Sequence, residues 1–168
     1  MKILIIRTLK SELISIIIKK LKEEFGNPLL CLLTHNNQES LNFFKNKFNK
    51  IYIYEENKDF SVGNIKLSTL IKLKKENFDL VVMPRLFNTN LGFLDVTALS
   101  FFILPKKVAI LPYKENLIYV SNNFFFKFII IKFFGFFLNI LLQLIFWFVL
   151  SFYLLMNKLR SLISSNNE

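Results

Sequence analysis

The chain has 168 residues, 53% of them apolar, with 21 Phe, only 4 Gly and 4 Pro, and a formal net charge of +10. This composition and a mean hydropathy of +0.41 exclude a disordered, collagen-like or low-complexity protein, and they indicate more apolar surface than a plain soluble domain carries. The single Cys and the single His exclude an intramolecular disulfide framework and a zinc cluster built from these two residue types.

The first 120 residues alternate short apolar runs with amphipathic stretches, which predicts strands and helices in turn. The predicted strands are 2–7, 28–35, 50–55, 79–83, 107–111 and 116–120, the last being a sixth strand or the return arm of a hairpin across 112–115. The predicted helices are 11–25, 38–48, 64–77 and 94–104. Ser11 is the expected N-cap of the first helix, whose buried face is expected to carry Leu13, Ile16, Ile17 and Leu21.

The pattern within the strands indicates how they are placed in the sheet. The first strand is continuously apolar, as in a strand covered on both faces, whereas the third alternates and is expected near an edge. Strands separated by helices imply right-handed crossovers and a mostly parallel sheet with helices on both faces. The sequence therefore predicts an α/β, Rossmann-like three-layer domain over residues 1–121, with five to six strands in the order 3-2-1-4-5.

The apolar surplus is concentrated after this domain. Residues 133–156 carry no charge over a run longer than the roughly 20 residues that a membrane-crossing helix needs. We expect a transmembrane helix there, an interfacial lead-in at 122–132 whose Lys127 and Lys132 reach lipid phosphates, and a polar tail at 157–168. The alternative is a buried helical hairpin in a soluble core.

The expected orientation is a single-pass protein with a C-terminal anchor and a cytoplasmic N-terminal domain. The opening apolar run ends at Arg7 and is too short for a signal peptide, so the domain made before the anchor is expected to stay in the cytoplasm. Lys and Arg near the helix favour the same orientation only weakly. Membrane lipid is thus one expected partner.

Ligands of open α/β sheets bind beyond the carboxyl ends of the strands, where the strand order switches. Arg7 and Arg85 follow the first and fourth strands and could together hold a phosphate or carboxylate, because a guanidinium suits such anions. The alternative is that they are surface arginines, or that one of them pairs with Glu12 or Asp95. The residues expected to line the cleft are Thr8, Asn36, Asn88, Asn90 and Lys114.

Catalytic chemistry is less visible than architecture. His35 ends a strand at the expected cleft and is a candidate general base, or else a loop residue with a hydrogen bond. Cys31 lies inside an apolar strand and is expected in the core. The chain has neither GxGxxG after its first strand nor a P-loop motif, and no pair of acids indicates a metal site, so we expect no cofactor and no metal. A nucleic-acid partner has only net charge in its favour and is not expected.

The opening KILIIRT, the helix after it and the segment FDLVVMPRLFNTNLGFLDVTALSFFILPKKVAIL resemble the N-terminal Rossmann-like half of GT-B glycosyltransferases, above all the heptosyltransferase group. The resemblance covers residues 1–113. Heptosyltransferases place a Gly-Asp pair after the first strand, whose acid is taken as the catalytic base. Here the stretch is Thr8-Leu9-Lys10-Ser11-Glu12, so Glu12 is the acid that the resemblance offers as a second catalytic candidate.

The resemblance implies an acceptor-side half of a transferase. GT-B enzymes bind the sugar nucleotide mainly in a second Rossmann-like domain, and this chain has a membrane helix in its place. The first hypothesis is therefore a membrane-anchored, glycosyltransferase-like half-domain in cell-envelope or lipid-linked glycan synthesis. It would take a lipid-linked glycan acceptor and need a nucleotide-sugar-binding partner chain for catalysis. The second is a non-enzymatic, membrane-anchored docking or scaffold module.

Overall fold

A computed structural model describes the backbone of residues 1–54, 58–86 and 94–165, and the side chains of its last helix at 123, 130 and 133–153. The chain divides into two units, Met1–Phe125 and Phe126–Glu168. The first unit is an α/β domain with a six-stranded sheet, as its sequence predicts.

The six strands of the described residues form one sheet in the order β3-β2-β1-β4-β5-β6. They are β1 (Lys2–Ile6), β2 (Leu29–His35), β3 (Lys50–Tyr54), β4 (Leu80–Arg85), β5 (Lys107–Pro112) and β6 (Ile118–Val120). The first five are parallel and β6 pairs antiparallel with β5. The expected order is confirmed, β3 is an edge strand, and residues 118–120 are the return arm of a hairpin.

Alternate residues of each central strand face opposite sides of the sheet and enter separate hydrophobic clusters. Ile3, Ile5 and Val82 pack with the helices that follow β1 and β2. Leu4 and Met83 pack with the helices that follow β3 and β4. Because both sides of these strands are buried, the strands need apolar residues throughout and show no polar alternation.

The helices of the first unit are α1 (Ser11–Phe25), α2 (Gln38–Phe44), α3 (Leu67–Lys75) and α4 (Leu94–Phe102). The bounds of α1 match the prediction, and it ends at Gly26, whose φ of 73° suits glycine. The expectation of a Ser11 cap is wrong. Lys10 occupies the N-cap, makes no side-chain capping bond, and Ser11 is already helical.

The buried face of α1 is rotated from the expected one. Ile14, Ile17, Ile18 and Leu21 are buried, whereas Ile16 is 38% exposed. The helix contains more isoleucine and leucine than one face needs, so contact with the sheet, and not periodicity alone, decides which of them are covered.

Three helices, α2, α3 and α4, are shorter than predicted, and side chains hold the loops that flank the first two in other conformations. Before α3, Asn64 donates to the carbonyl of Asp59 at 3.2 Å, and the hydroxyl of Tyr54 bonds the backbone of Ser61. After α2, the Asn49 side chain accepts from the Leu30 backbone at 2.9 Å, which draws the chain toward β2.

The second unit consists mainly of α5 (Asn122–Ser165), one helix of 44 residues that begins directly after β6. Its segment Phe133–Tyr153 has a mean hydropathy of 2.3, is not buried against the protein, and is long and apolar enough to cross a membrane. The boundary at 132 between a lead-in and a span, and the lipid contacts of Lys127 and Lys132, lie outside the described side chains and stay predictions.

Candidate functional site

The strand order switches between β1 and β4, at the centre of the sheet. α1 and α2 cover one face of the sheet and α3 and α4 cover the other, so the helices that follow β1 and β4 lie on opposite faces. A crevice between diverging loops is where doubly wound sheets bind ligands. The first positions beyond this edge are therefore the place to look for a site.

Arg7 follows β1 at this edge and is half-buried. Its two terminal nitrogens donate to the hydroxyls of Thr34 at 3.2 Å and Ser11 at 3.4 Å, and its guanidinium lies 5.6 Å from the centre of the Phe44 ring. Burial lowers the pKa of Arg7, and the charge of nearby Glu12 opposes that shift. The Arg7 Nε is buried and has no hydrogen-bond partner among the described residues.

The N-terminus of α1 adjoins this guanidinium. Lys10 at the N-cap has an extended backbone, and its side chain does not cap the helix. The amide groups of a helix's first turn have no intrahelical acceptor, and the helix dipole adds partial positive charge there. Arg7 and the start of α1 together place positive charge at the carboxyl edge of the sheet, a setting that suits an anion. We call this region, around Arg7, Ser11 and Thr34, the Arg7 mouth.

Backbone contacts fix the loops around this mouth. The Thr8 hydroxyl donates to the carbonyl of Pro84, which ties the loop after β1 to the end of β4. The Tyr113 amide donates to the Arg85 carbonyl at 2.7 Å, and Lys20 of α1 donates to the Tyr113 carbonyl at 2.8 Å. The ends of β1, β4 and β5 are thus held in register at the carboxyl edge.

Arg85 does not share the surroundings of Arg7. It is 2% exposed and donates to the Thr97 hydroxyl of α4 at 3.2 Å, and burial lowers its pKa. The partners of Arg7 lie on the α1 and α2 face, so the two side chains point to opposite faces of the sheet. That Arg7 and Arg85 bind one anion together stays a prediction.

His35 also turns to the α3 and α4 face. Its Nε2 donates to the Lys58 carbonyl at 2.7 Å, and its ring packs against Phe60, with centroids 4.3 Å apart, and against Tyr54. Through these contacts, His35 holds the loop that contains Lys58 and Phe60 against the sheet. The catalytic role suggested by the sequence stays a prediction.

The other predicted residues are spread around the edge. Glu12, Asn36 and Lys114 are exposed, and Thr8 is half-buried. Asn88 and Asn90 lie outside the described residues. Within residues 1–54, 58–86 and 94–165, no group of three metal-ligating side chains comes together. The sequence reading did not assign Ser11, Phe44 and Lys20 to the site. Ser11 stands four residues after Arg7 at the start of the predicted first helix, and this position is the signal that could have found it.

A second polar cluster lies at the opposite, amino edge of the sheet. Glu76 forms ion pairs with Lys2 and Lys50, and Lys106 pairs with Asp79 at 2.7 Å. The Lys2 and Lys50 ammonium groups lower the pKa of Glu76 to about 2, and burial raises that of Tyr52. This network joins the end of α3 to β1 and β3, which is a structural role.

Comparison with protein-family models, curated protein sequences and solved structures finds no match to this chain.

Proposed function

We propose that the chain is a membrane-anchored module that binds a phosphate-bearing ligand at the Arg7 mouth. In this proposal it serves cell-envelope or lipid-linked glycan synthesis as the acceptor-side half of a glycosyltransferase. The observation that carries it is the half-buried Arg7 beside an uncapped helix start, at the switch point of the sheet. A desolvated cation held by neutral hydroxyls gains more from an anion than a solvated surface arginine does.

The glycan part of the proposal rests on the resemblance of residues 1–113 to GT-B acceptor domains. The anchoring part rests on the apolar, unburied Phe133–Tyr153 segment, and it includes a cytoplasmic α/β domain. The described hydrogen bonds of Arg7 go to Thr34 and Ser11 and do not include the catalytic candidates His35 and Glu12. In the proposal, sugar transfer therefore takes place in a complex with a nucleotide-sugar-binding chain.

The anion site is tested by titrating inorganic pyrophosphate into the detergent-solubilised full chain in a calorimeter. Arg7→Gln is expected to weaken binding by about ten- to a hundredfold, the worth of hydrogen bonds to a charged group. Lys19→Gln is the matched control, because Lys19 is exposed and pairs with Glu23. Equal affinity in wild type and Arg7→Gln would rule out the site.

The partner is tested separately, by affinity purification of the full chain from detergent-solubilised native membranes and mass spectrometry. Co-purification of a nucleotide-sugar-binding chain supports the split transferase and justifies a transfer assay on the pair. Recovery of the chain alone, or with unrelated membrane proteins, contradicts it and favours the docking or scaffold module.

A further inference from the structure

A groove at the amino edge of the sheet lies far from the Arg7 mouth. It has a volume of about 750 Å³ and is lined by Phe101, Leu104, Lys106, Lys107, Tyr119 and Ser121. Its walls come from the end of α4, the start of β5 and the end of β6. Ser121 is the last residue before α5 begins.

Leu104 in this groove is both strained and exposed. It follows α4 with a φ of 60°, a left-handed conformation that leucine adopts at a steric cost, and its side chain is 71% exposed. Glycine or asparagine ordinarily occupies this position after a helix. A leucine that neither suits the backbone nor packs in the core indicates that its side chain is used at the surface.

The surroundings of Leu104 combine apolar and basic side chains. Tyr119 is 51% exposed and Phe102 is 39% exposed, while the Lys107 ammonium lies 5.3 Å from the Tyr119 ring centre. Lys106 also lines the groove, and its side chain is 75% exposed while it pairs with Asp79. Exposed apolar groups bordered by lysines complement the interface of an anionic bilayer.

The groove adjoins the start of α5 along the chain, because Ser121 lines it. Between Ser121 and Phe133 the chain is helical, which spans about 18 Å at the rise of an α-helix. We infer that the groove around Leu104, Lys106 and Lys107 rests on the anionic lipid surface that α5 enters, with Leu104 reaching the acyl-chain boundary. This inference rests on the anchoring part of the proposed function, and it adds a second, peripheral membrane contact.

The test uses the full chain reconstituted into vesicles of phosphatidylglycerol and phosphatidylcholine with brominated acyl chains. A fluorophore is attached in turn to Leu104→Cys in the groove, Asn36→Cys at the carboxyl edge and Ser151→Cys in the apolar segment. Cys31 is 2% exposed, so the introduced thiol takes the label, and unsubstituted chain gives the background. Brominated lipid quenches only fluorophores that contact it.

We expect quenching at 151 and at 104, with position 104 exceeding position 36. Quenching at 151 with equal signals at 104 and 36 overturns the groove contact and leaves the anchor intact. Absence of quenching at 151 overturns the anchor, and the groove contact with it.

The lysines provide a second measurement on the same label. In anionic vesicles, Lys107→Gln is expected to lower the ratio of molecules whose groove contacts lipid to molecules whose groove does not by about fivefold. This is the effect of one lysine at an anionic lipid surface. Lys19→Gln is the control and is expected to change nothing. Quenching at 104 that is insensitive to Lys107→Gln and to phosphatidylglycerol content contradicts recognition of anionic lipid.

Discussion

At the residue scale, the charge of Arg7 is held by the hydroxyls of Thr34 and Ser11, with Glu12 close enough to influence its pKa. Glu12 is exposed on the first turn of α1, where a bound anion would meet its negative charge. The same residue is the acid that the glycosyltransferase resemblance offers for catalysis. One substitution distinguishes these roles.

Glu12→Gln is expected to strengthen pyrophosphate binding by about two- to threefold, because it removes a like charge from a solvated site. Calorimetry on the full chain measures this. In a complex that transfers sugar, unchanged binding with lost turnover would instead identify Glu12 as the proton acceptor. Weaker binding in Glu12→Gln would contradict the repulsion and indicate that Glu12 orients Arg7.

The Glu76 carboxylate makes the stability of the folded chain depend on pH. Its ion pairs with Lys2 and Lys50 hold the pKa at about 2 in the folded chain, below the ordinary value of 4.5. The stabilisation is present above pH 4.5 and is lost as the pH falls toward 2, where the folded carboxyl group takes up a proton.

We expect Glu76→Gln to lower the free energy of unfolding by about 1 kcal/mol at neutral pH and to reduce its decline in acid. Urea denaturation followed by near-ultraviolet circular dichroism at several pH values measures both. Glu24→Gln, at an exposed position of α1, is the matched control. Parallel pH profiles for wild type and Glu76→Gln would show that the network contributes no stability.

Leu104 offers a stability test independent of lipid. Leu104→Gly is expected to raise the free energy of unfolding by about 1 kcal/mol, because glycine adopts a positive φ without strain and little burial is lost. Leu67, the first residue of α3, is similarly exposed at 70% but has no positive φ, so Leu67→Gly relieves no strain and is expected not to raise the free energy of unfolding. Destabilisation by Leu104→Gly would show that the contacts of the leucine side chain outweigh the relief of backbone strain.

At the scale of elements, the two helices that follow β1 and β2 begin differently. The Asn37 side chain accepts from the Ser40 amide at 3.1 Å and caps α2, whereas Lys10 leaves α1 without a side-chain cap. Asn37→Ala is expected to cost about 1 kcal/mol of stability and Lys10→Ser to add about 0.5–1 kcal/mol. Urea denaturation of the two variants measures both changes in the free energy of unfolding. A decrease in Lys10→Ser would show that Lys10 already stabilises the start of α1.

The strands and their order could be predicted because buried parallel strands need unbroken apolar runs, and helices between strands restrict the topology. Helix faces were harder, since α1 has apolar residues beyond one face and only the sheet selects Ile14 over Ile16. The separation of Arg7 from Arg85 depends on the register that pairs Ile5 with Val82. Side-chain alternation along each strand then places Arg7 and Arg85 on opposite faces of the sheet. The register cannot be predicted from the sequence of either strand alone.

At the scale of the whole molecule, the α/β unit Met1–Phe125 and the unit Phe126–Glu168, which holds most of α5, are separate along the chain. Among the side chains that the structure describes, both hydrophobic clusters of the sheet are built from residues up to Val120. Deletion of residues 122–168 is therefore expected to leave a folded, soluble domain with Cys31 protected from thiol reagents. Aggregation, or rapid labelling of Cys31, would show that the last helix belongs to the core.

The short hairpin strand β6 sets the polarity of the domain. β5 runs toward the carboxyl edge, and the antiparallel β6 brings the chain back to the amino edge before α5 starts. The Arg7 mouth and the point where the chain leaves the sheet are thus separated by the length of a strand, about 15–20 Å. A phosphate group that reaches Arg7 needs a spacer of that length if it is tied to the bilayer beside the chain's exit. Under the proposed anchoring and anion site, the hairpin would therefore favour ligands whose phosphate stands well clear of the lipid headgroups, or that arrive from solution.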